Sequence, residues 1–141
     1  MSPFAHYLHD LRMARKIRQM DLAEMMGYDQ SYVSALEVGL KSPPTKEFVE
    51  KLIHVLDMTP AQAKEARDEA AASQRKWVLD SNLPRDAYRM VQALHERVGR
   101  LHPQQINMIC SILEMSDAMP ERPPEPLRRL PRRKPSEEVT M

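Results

Sequence analysis

The sequence predicts an all-α protein, in which five short helices precede a helical hairpin and a disordered tail. Residues that favour helices dominate the composition, whereas Gly accounts for 3 of the 141 residues and aromatic residues for 5%. Apolar residues recur at spacings of three and four, and turn or capping residues separate the runs. Together these observations favour amphipathic helices over strands.

The composition also narrows the function. No stretch approaches about 18 consecutive apolar residues, and the amino terminus lacks the apolar core of a signal peptide, so we expect a cytoplasmic protein that does not cross a membrane. Cys110 is the single cysteine, which excludes an internal disulfide and a cysteine-based zinc cluster. His6 and His9 lack further ligands, so we expect neither a metal nor another cofactor. Nothing resembles a catalytic triad, a phosphate loop or a carboxylate pair, and we expect no enzyme.

The first three predicted helices are short, and the second and third each end at a glycine. The first covers residues 3–16 and has a proline at a favourable first-turn position. The second covers residues 20–26 and stops at Gly27. The third starts after Asp29, a favourable N-cap residue, and ends near residue 38.

Two more helices complete a predicted domain over residues 1–73. Thr45 caps the fourth helix, which presents an apolar face over residues 48–56. Thr59 begins the fifth helix with a capping box, because Gln62 lies three residues after the cap. A proline at the first helical position is a second start signal. The expected core of this domain consists of Phe4, Leu8, Leu11, Leu22, Met26, Val33, Leu36, Phe48, Leu52 and Leu56.

Residues 19–39 have the spacing of a helix-turn-helix that binds DNA. Two short helices are joined by a turn of a few residues that contains Gly27. In such a pair the second helix lies in the major groove, which is wide enough for one α-helix. The wider pattern consists of Leu11-Arg12, Gln19, Leu22-Ala23, Gly27, the run from Gln30 to Glu37, Gly39, Pro44 and the helix over 48–56. These residues resemble the Xre-type, phage-repressor-like family of regulators.

The resemblance covers about half of the chain and implies a five-helix, repressor-like domain. It also implies a sequence-specific regulator that binds double-stranded DNA as a homodimer on a palindromic operator, with half-sites about 34 Å apart. A repressor is the leading hypothesis. Two alternatives stay open: the antitoxin of a toxin–antitoxin pair, which would bind both DNA and a toxin protein, and a helical protein-interaction module without DNA binding.

The chemistry of the third helix fits the recognition of bases. The Gln30 amide can bind adenine N6 and N7 in a bidentate manner, and the Ala35 methyl can contact a thymine methyl. The hydroxyls of Ser31 and Ser34 can donate to or accept from bases or phosphates, and Tyr32 can contact either. In isolation Gln30 and Ser31 would be ordinary exposed helix residues, but within this motif we expect base contacts.

Phosphate contacts are expected from the flanks of the third helix. The formal net charge is only +1, so DNA binding needs local clusters of Lys and Arg. The resemblance implies that Gln19 binds a phosphate and orients Gln30. The amino end of the fourth helix favours an anion. The other expected phosphate contacts are Arg15, Lys16, Arg18, Lys41, Ser42, Thr45 and Lys46.

Two further features follow from the comparison with the family. The resemblance implies a structural ion pair between Arg12 and Glu37, and loss of one partner of a well-buried pair would strand a charge. The segment after Glu37 departs from the family pattern, in which Asn or an Arg-containing segment is frequent. Val38 and Leu40 cannot bind phosphate through their side chains. The resemblance therefore does not define which residues after Glu37 contact the DNA backbone.

Residues 74–119 predict a connector and a helical hairpin. The sixth helix, after Pro84, has apolar residues at heptad spacing, and Pro103 starts the seventh. A hairpin this small cannot close its own core, so we expect it to pack on the first domain or on a second subunit, and we predict that it helps to form the homodimer. The residues expected to dimerise are Trp77, Val91, Leu94, Val98, Leu101, Ile109 and Leu113.

Residues 120–141 are rich in Pro and charge and poor in apolar residues. Such a segment cannot bury enough surface to offset the entropy of ordering, so it predicts a disordered tail. Its cluster of arginines could add non-specific attraction to DNA, although a solvated chain end is the simpler interpretation.

Overall fold

The computed structural model describes residues 1–40, 43–115, 119–121 and 123. All regular elements in these ranges are helical, which confirms the predicted all-α class. The helices are α1 (Pro3–Ala14), α2 (Gln19–Met26), α3 (Gln30–Val38), α4 (Lys46–Val55), α5 (Pro60–Ala72), α6 (Arg85–Arg97) and α7 (Pro103–Glu114), and a short 3-10 turn (Val98–Arg100) follows α6. Lys41, Ser42 and most of the predicted tail lie outside the described residues.

The helix ends follow the capping residues closely. Thr45 and Thr59 accept hydrogen bonds from the backbone N–H groups of Phe48 and Gln62, and the capping box at Thr59 is complete. The first helix is shorter than predicted, because Lys16 has a φ of 56° and therefore cannot continue it. Local side-chain chemistry thus fixes most boundaries to within one or two residues.

The chain divides into two compact units, residues 1–77 and 78–141. In the first unit, α1 packs against α3 and α5, and α4 packs against α2 and α5. The expected core is buried except for Leu11, which is partly buried. The α5 helix adds only the small side chains Ala63, Ala66 and Ala70 to the buried set, which lets its backbone approach α1 closely.

A buried hydroxyl joins the first and last helices of this unit. The backbone N–H of Phe4 donates to Ser73 Oγ at 2.9 Å, and Ser73 Oγ donates to the Glu69 carbonyl oxygen at 2.7 Å. The N–H of Phe4 belongs to the first turn of α1, where no helical partner exists. Ser73 therefore satisfies a buried donor that the helix itself cannot satisfy.

The second unit contains α6 and α7. Neither helix has a single buried residue, although both are amphipathic. The Tyr88 hydroxyl donates to the carbonyl oxygen of Asp80, which ties α6 to the segment before it. In the part of the chain that the structure describes, no helix has the length and apolar character needed to cross a membrane.

Candidate nucleic-acid interface

The turn between α2 and α3 is set by Gly27. This residue ends α2 in the left-handed conformation with φ of 72°, which residues other than glycine rarely adopt. The N–H of Gly27 donates to the Glu24 carbonyl oxygen, and the N–H of Tyr28 donates to the Ala23 carbonyl oxygen. The chain then turns into Asp29, the N-cap of α3, whose side chain makes no capping hydrogen bond in the structure.

The α3 helix separates its apolar and polar residues between two faces. Val33 and Leu36 are buried in the core, and the polar Gln30 and Ser31 of the first turn are exposed. Ser34 and Ala35 lie one turn further on the same outer face and are half-buried. The structure thus brings four of the five predicted base-contacting residues to one surface.

Tyr32 is the exception, because it lies about 100° around the helix from Ser31 and away from Ser34. Its ring stacks on Tyr28, with 5.2 Å between centroids, and packs edge-on against Phe48 at 5.7 Å. Burial raises the pKa of the Tyr32 hydroxyl, with a smaller contribution from Tyr28. The geometry therefore packs this ring against α4, on a different side of the helix from the other four residues, and the base contact of Tyr32 stays a prediction.

Glu37 anchors the end of α3 to α1 and α2. Its carboxylate is only 5% exposed. It accepts bonds from Arg12 Nε at 2.6 Å and Nη2 at 3.1 Å, and from Gln19 Nε2 at 2.8 Å. His9 Nδ1 lies at 3.4 Å from the same group. Arg12 also donates to the Ile17 carbonyl oxygen at 3.0 Å, so one guanidinium ties three segments together.

Glu37 and Arg12 each stabilise the charged form of the other. Burial by itself would raise the pKa of Glu37, but the hydrogen bonds from Arg12 and Gln19 and the charge of Arg12 outweigh it, so the pKa lies below its usual value. The bond to Glu37 raises the pKa of Arg12. Gln19 therefore takes part in the ion-pair cluster, a role that the sequence analysis did not give it.

A cleft lies between the starts of α2 and α3. Its walls bring together two guanidinium groups, two amides, a carboxylate and an apolar side chain from residues that are as far as 18 positions apart. The lining residues are Arg12, Arg18, Gln19, Met20, Asp21 and Gln30. Arg18 is exposed and is the N-cap of α2, without a side-chain capping bond. Two predicted phosphate contacts, Arg18 and Gln19, thus border the same cleft as the predicted base contact Gln30.

The other predicted phosphate contacts are spread more widely. Arg15 donates to the Leu56 carbonyl oxygen at 2.6 Å, at the carboxyl end of α4. Lys46 is exposed at the amino end of the same helix, about 15 Å away for ten residues. Arg15 therefore caps a helix at the end opposite to Lys46, and the structure does not bring these two cations together. Thr45 is exposed beside Lys46, and Lys16 is exposed at the end of α1.

The predicted dimerisation residues fall into two groups. Leu94, Leu101, Ile109 and Leu113 line an apolar groove between α6 and α7. Val91 and Val98 do not line it, and Trp77 belongs to the first unit, where it is 82% exposed. Sequence reasoning missed the other groove residues, which are Met90, Ala93, Arg97 and Ile112.

The groove residues of α6 that the sequence analysis missed have a recognisable helical spacing. Met90, Ala93 and Arg97 repeat at spacings of three and four, parallel to the stripe of Val91, Leu94 and Val98 and one residue earlier. The sequence reasoning followed the stripe with the bulkier apolar residues. The neighbouring stripe contains an alanine and an arginine, whose stem can cover apolar surface.

Comparison with known proteins agrees with the geometry of the first unit. The helix-turn-helix domain family matches residues 3–75, slightly more than half of the chain. No curated protein matches the chain. A solved structure of the SinR protein/SinI protein complex aligns with 82% of this chain and 99% of its own chain, at 20% identity and a TM-score of 0.39. The family match includes all five helices that surround the α2–α3 turn.

Proposed function

Since this chain belongs to the helix-turn-helix domain family and is a DNA-binding transcriptional regulator, we propose that it is a sequence-specific repressor of the Xre type. It reads the major groove of double-stranded DNA with α3. One observation carries this proposal: Gln30 and Ser31 are exposed in the first turn of α3, while Val33 and Leu36 hold the opposite face in the core. A helix held in this way can enter a groove without disturbing the fold.

Base recognition depends on the outer face of α3. Gln30 binds one adenine in a bidentate manner, a contact worth about 1–3 kcal/mol of discrimination. Ser31 and Ser34 add hydroxyl contacts, and Ala35 offers a methyl group to thymine. The cluster at Glu37 supports this readout indirectly, because it fixes α3 relative to α1 and α2 through bonds to Arg12 and Gln19.

Phosphate contacts supply affinity and orientation. Arg18 lies beside Gln30 in the cleft between α2 and α3, and Lys46 and Thr45 stand at the amino end of α4. The N–H groups in the first turn of a helix attract anions, which favours a phosphate at this end of α4. Contacts of this kind add salt dependence but no sequence preference.

The hairpin of α6 and α7 forms a homodimer by packing against the hairpin of a second copy. No residue of these two helices is buried, and their shared groove is apolar apart from Arg97. Ile112 and Leu113 line the groove and remain largely exposed. A two-fold axis through such a surface places apolar residues against apolar residues, and it matches a palindromic operator with half-sites about 34 Å apart.

The DNA-binding part is tested by selecting bound duplexes from a random library at low salt. The expected result is one enriched sequence with two-fold symmetry. Lys46→Ala should weaken the enriched and scrambled duplexes alike and lower the salt slope by about one unit. The control is Lys64→Ala, which removes a lysine that is paired with Asp68 on α5. Absence of any binding by the parent protein would contradict the proposal and favour an interaction module.

The dimer is tested by light scattering at micromolar concentration. Ile112→Lys places a charge in the groove and should give monomers. Asn107→Lys is the control, because Asn107 is exposed on α7 outside the groove. A parent protein that is already monomeric contradicts the homodimer. A different protein that co-purifies at equal stoichiometry would favour the antitoxin hypothesis instead.

A further inference from the structure

The chain returns to the end of α3 when it leaves the first unit. Arg75 Nη2 donates to the carbonyl oxygen of Gly39 at 2.9 Å, across 36 positions of sequence. Gly39 ends α3 in the left-handed conformation, with φ of 82°. Arg75 is exposed, as is the next residue, Lys76. The Arg75 guanidinium therefore lies beside the carboxyl end of the helix that we propose reads the bases, and Lys76 follows it directly in the chain.

This end of α3 lies at the rim of the groove if α3 binds as proposed above, and the inference rests on that proposal. A helix of nine residues is about 13 Å long, and the major groove is about 12 Å wide. When Gln30 at the amino end meets the base edges, Gly39 at the other end comes close to the sugar-phosphate backbone. Arg75, which is bonded to Gly39, comes to the same place.

The side chains of residues 38–40, at this end of α3, cannot bind a phosphate. Val38 is 56% exposed and Leu40 is 79% exposed, and both are apolar. Gly39 between them has no side chain. The contact with Arg75 brings in a guanidinium from the other end of the unit, and a guanidinium matches the geometry of phosphate oxygens.

We propose that Arg75 and Lys76 form a second phosphate-binding site, at the carboxyl end of α3. The ligand is a phosphate of the DNA backbone. Arg18 lies beside the amino end of the same helix, in the cleft that contains Gln30. The backbone is thus held at both ends of the recognition helix, and the bond to Gly39 fixes Arg75 at its end.

The test measures how the affinity for DNA depends on salt in Arg75→Gln. Glutamine removes the charge and is too short to replace the guanidinium, so a purely structural role of Arg75 would lower the thermal stability but leave the salt slope unchanged. Loss of a phosphate contact should lower the slope of log K against log salt by about 0.9 and weaken operator and scrambled duplexes by the same factor. Arg75→Lys should retain the slope of the parent protein.

Two further variants keep the test decisive. Lys76→Gln alters an exposed side chain and should lower the slope by a similar amount, which decides the matter if Arg75→Gln proves unstable in thermal denaturation. Lys64→Gln removes the same charge from the exposed face of α5 and should leave the slope unchanged. Parent-like slopes in both Arg75→Gln and Lys76→Gln would overturn this inference while the proposed function stands. A parent protein that binds no duplex would instead refute the proposed function.

Discussion

The two units of this protein contain similar helices that do very different things with their apolar faces. In the first unit, Phe4, Phe48 and Leu8 are fully buried, and five helices share one core. In the second unit, α6 and α7 are amphipathic but contain no fully buried residue. The difference shows that an amphipathic pattern predicts a helix but not its partner, because burial needs enough neighbouring faces to enclose the side chain.

The largest expected effect on stability distinguishes a buried side chain of the first unit from an exposed one of the second. Phe48→Ala should lower the free energy of unfolding by about 3–5 kcal/mol, because it leaves a cavity among the rings of Phe4, Tyr28 and Tyr32. Leu113→Ala, at a side chain that is 59% exposed, should change it by less than about 0.5 kcal/mol at low protein concentration. Urea denaturation followed by circular dichroism measures both. Equal losses would refute the contrast between the units.

The next effect concerns the charge cluster of the first unit. Arg12→Ala should cost about 3 kcal/mol, because Glu37 is buried and would lose its cation while it keeps the bond from Gln19. Arg67→Ala is the matched control. It breaks an ion pair with Glu50 in which both side chains are exposed to solvent, and such pairs contribute little to stability. A similar loss of stability in the two variants would contradict a structural role for the buried pair.

A smaller effect is expected at Ser73. Ser73→Ala leaves the buried N–H of Phe4 without its partner, which should cost about 1–3 kcal/mol. Ser111→Ala serves as the control, because the Ser111 hydroxyl bonds only within α7, to the Asn107 carbonyl oxygen, at an exposed position. If thermal denaturation shows equal stability for parent and Ser73→Ala, water must replace the hydroxyl and the joint between α1 and α5 is weaker than described.

The last stability prediction concerns how the free energy of unfolding changes at acidic pH. The pKa of Glu37 is lower in the folded protein than its usual value. Such a carboxylate stabilises the fold above its unfolded pKa of about 4.3, and this stabilisation is lost as the pH falls through the folded value. The free energy of unfolding of the parent should therefore fall more steeply below about pH 4.3 than that of Glu37→Gln. Parallel curves from urea denaturation at several pH values would contradict the role of Glu37.

Much of the first unit could be predicted because its signals are local. Capping residues such as Thr59 and left-handed glycines such as Gly27 act within four residues, so they are visible in the sequence. The core also follows from spacing, with Leu11 as the residue that is only partly buried. The α5 helix shows the limit, because its contacts depend on alanines that carry a weak apolar signal.

The site was harder to predict where distant residues meet. Tyr32 is exposed to solvent or packed depending on where Phe48 of α4 lies, which spacing within α3 does not reveal. Arg75 lies 36 positions from Gly39, and nothing in the intervening sequence links them. In the second unit, the choice between two parallel stripes of α6 depends on the angle at which α7 packs.

The central claim is that the first turn of α3 reads bases, and a comparison of binding energies tests it most directly. Gln30→Ala should lose about 1–3 kcal/mol on the selected operator and should no longer distinguish one base pair, whereas Gln92→Ala, at an exposed site on α6, should bind as the parent does. Fluorescence anisotropy on the operator and on single base-pair variants measures this. If Gln30→Ala keeps the full preference of the parent for every base pair, α3 does not read DNA as proposed.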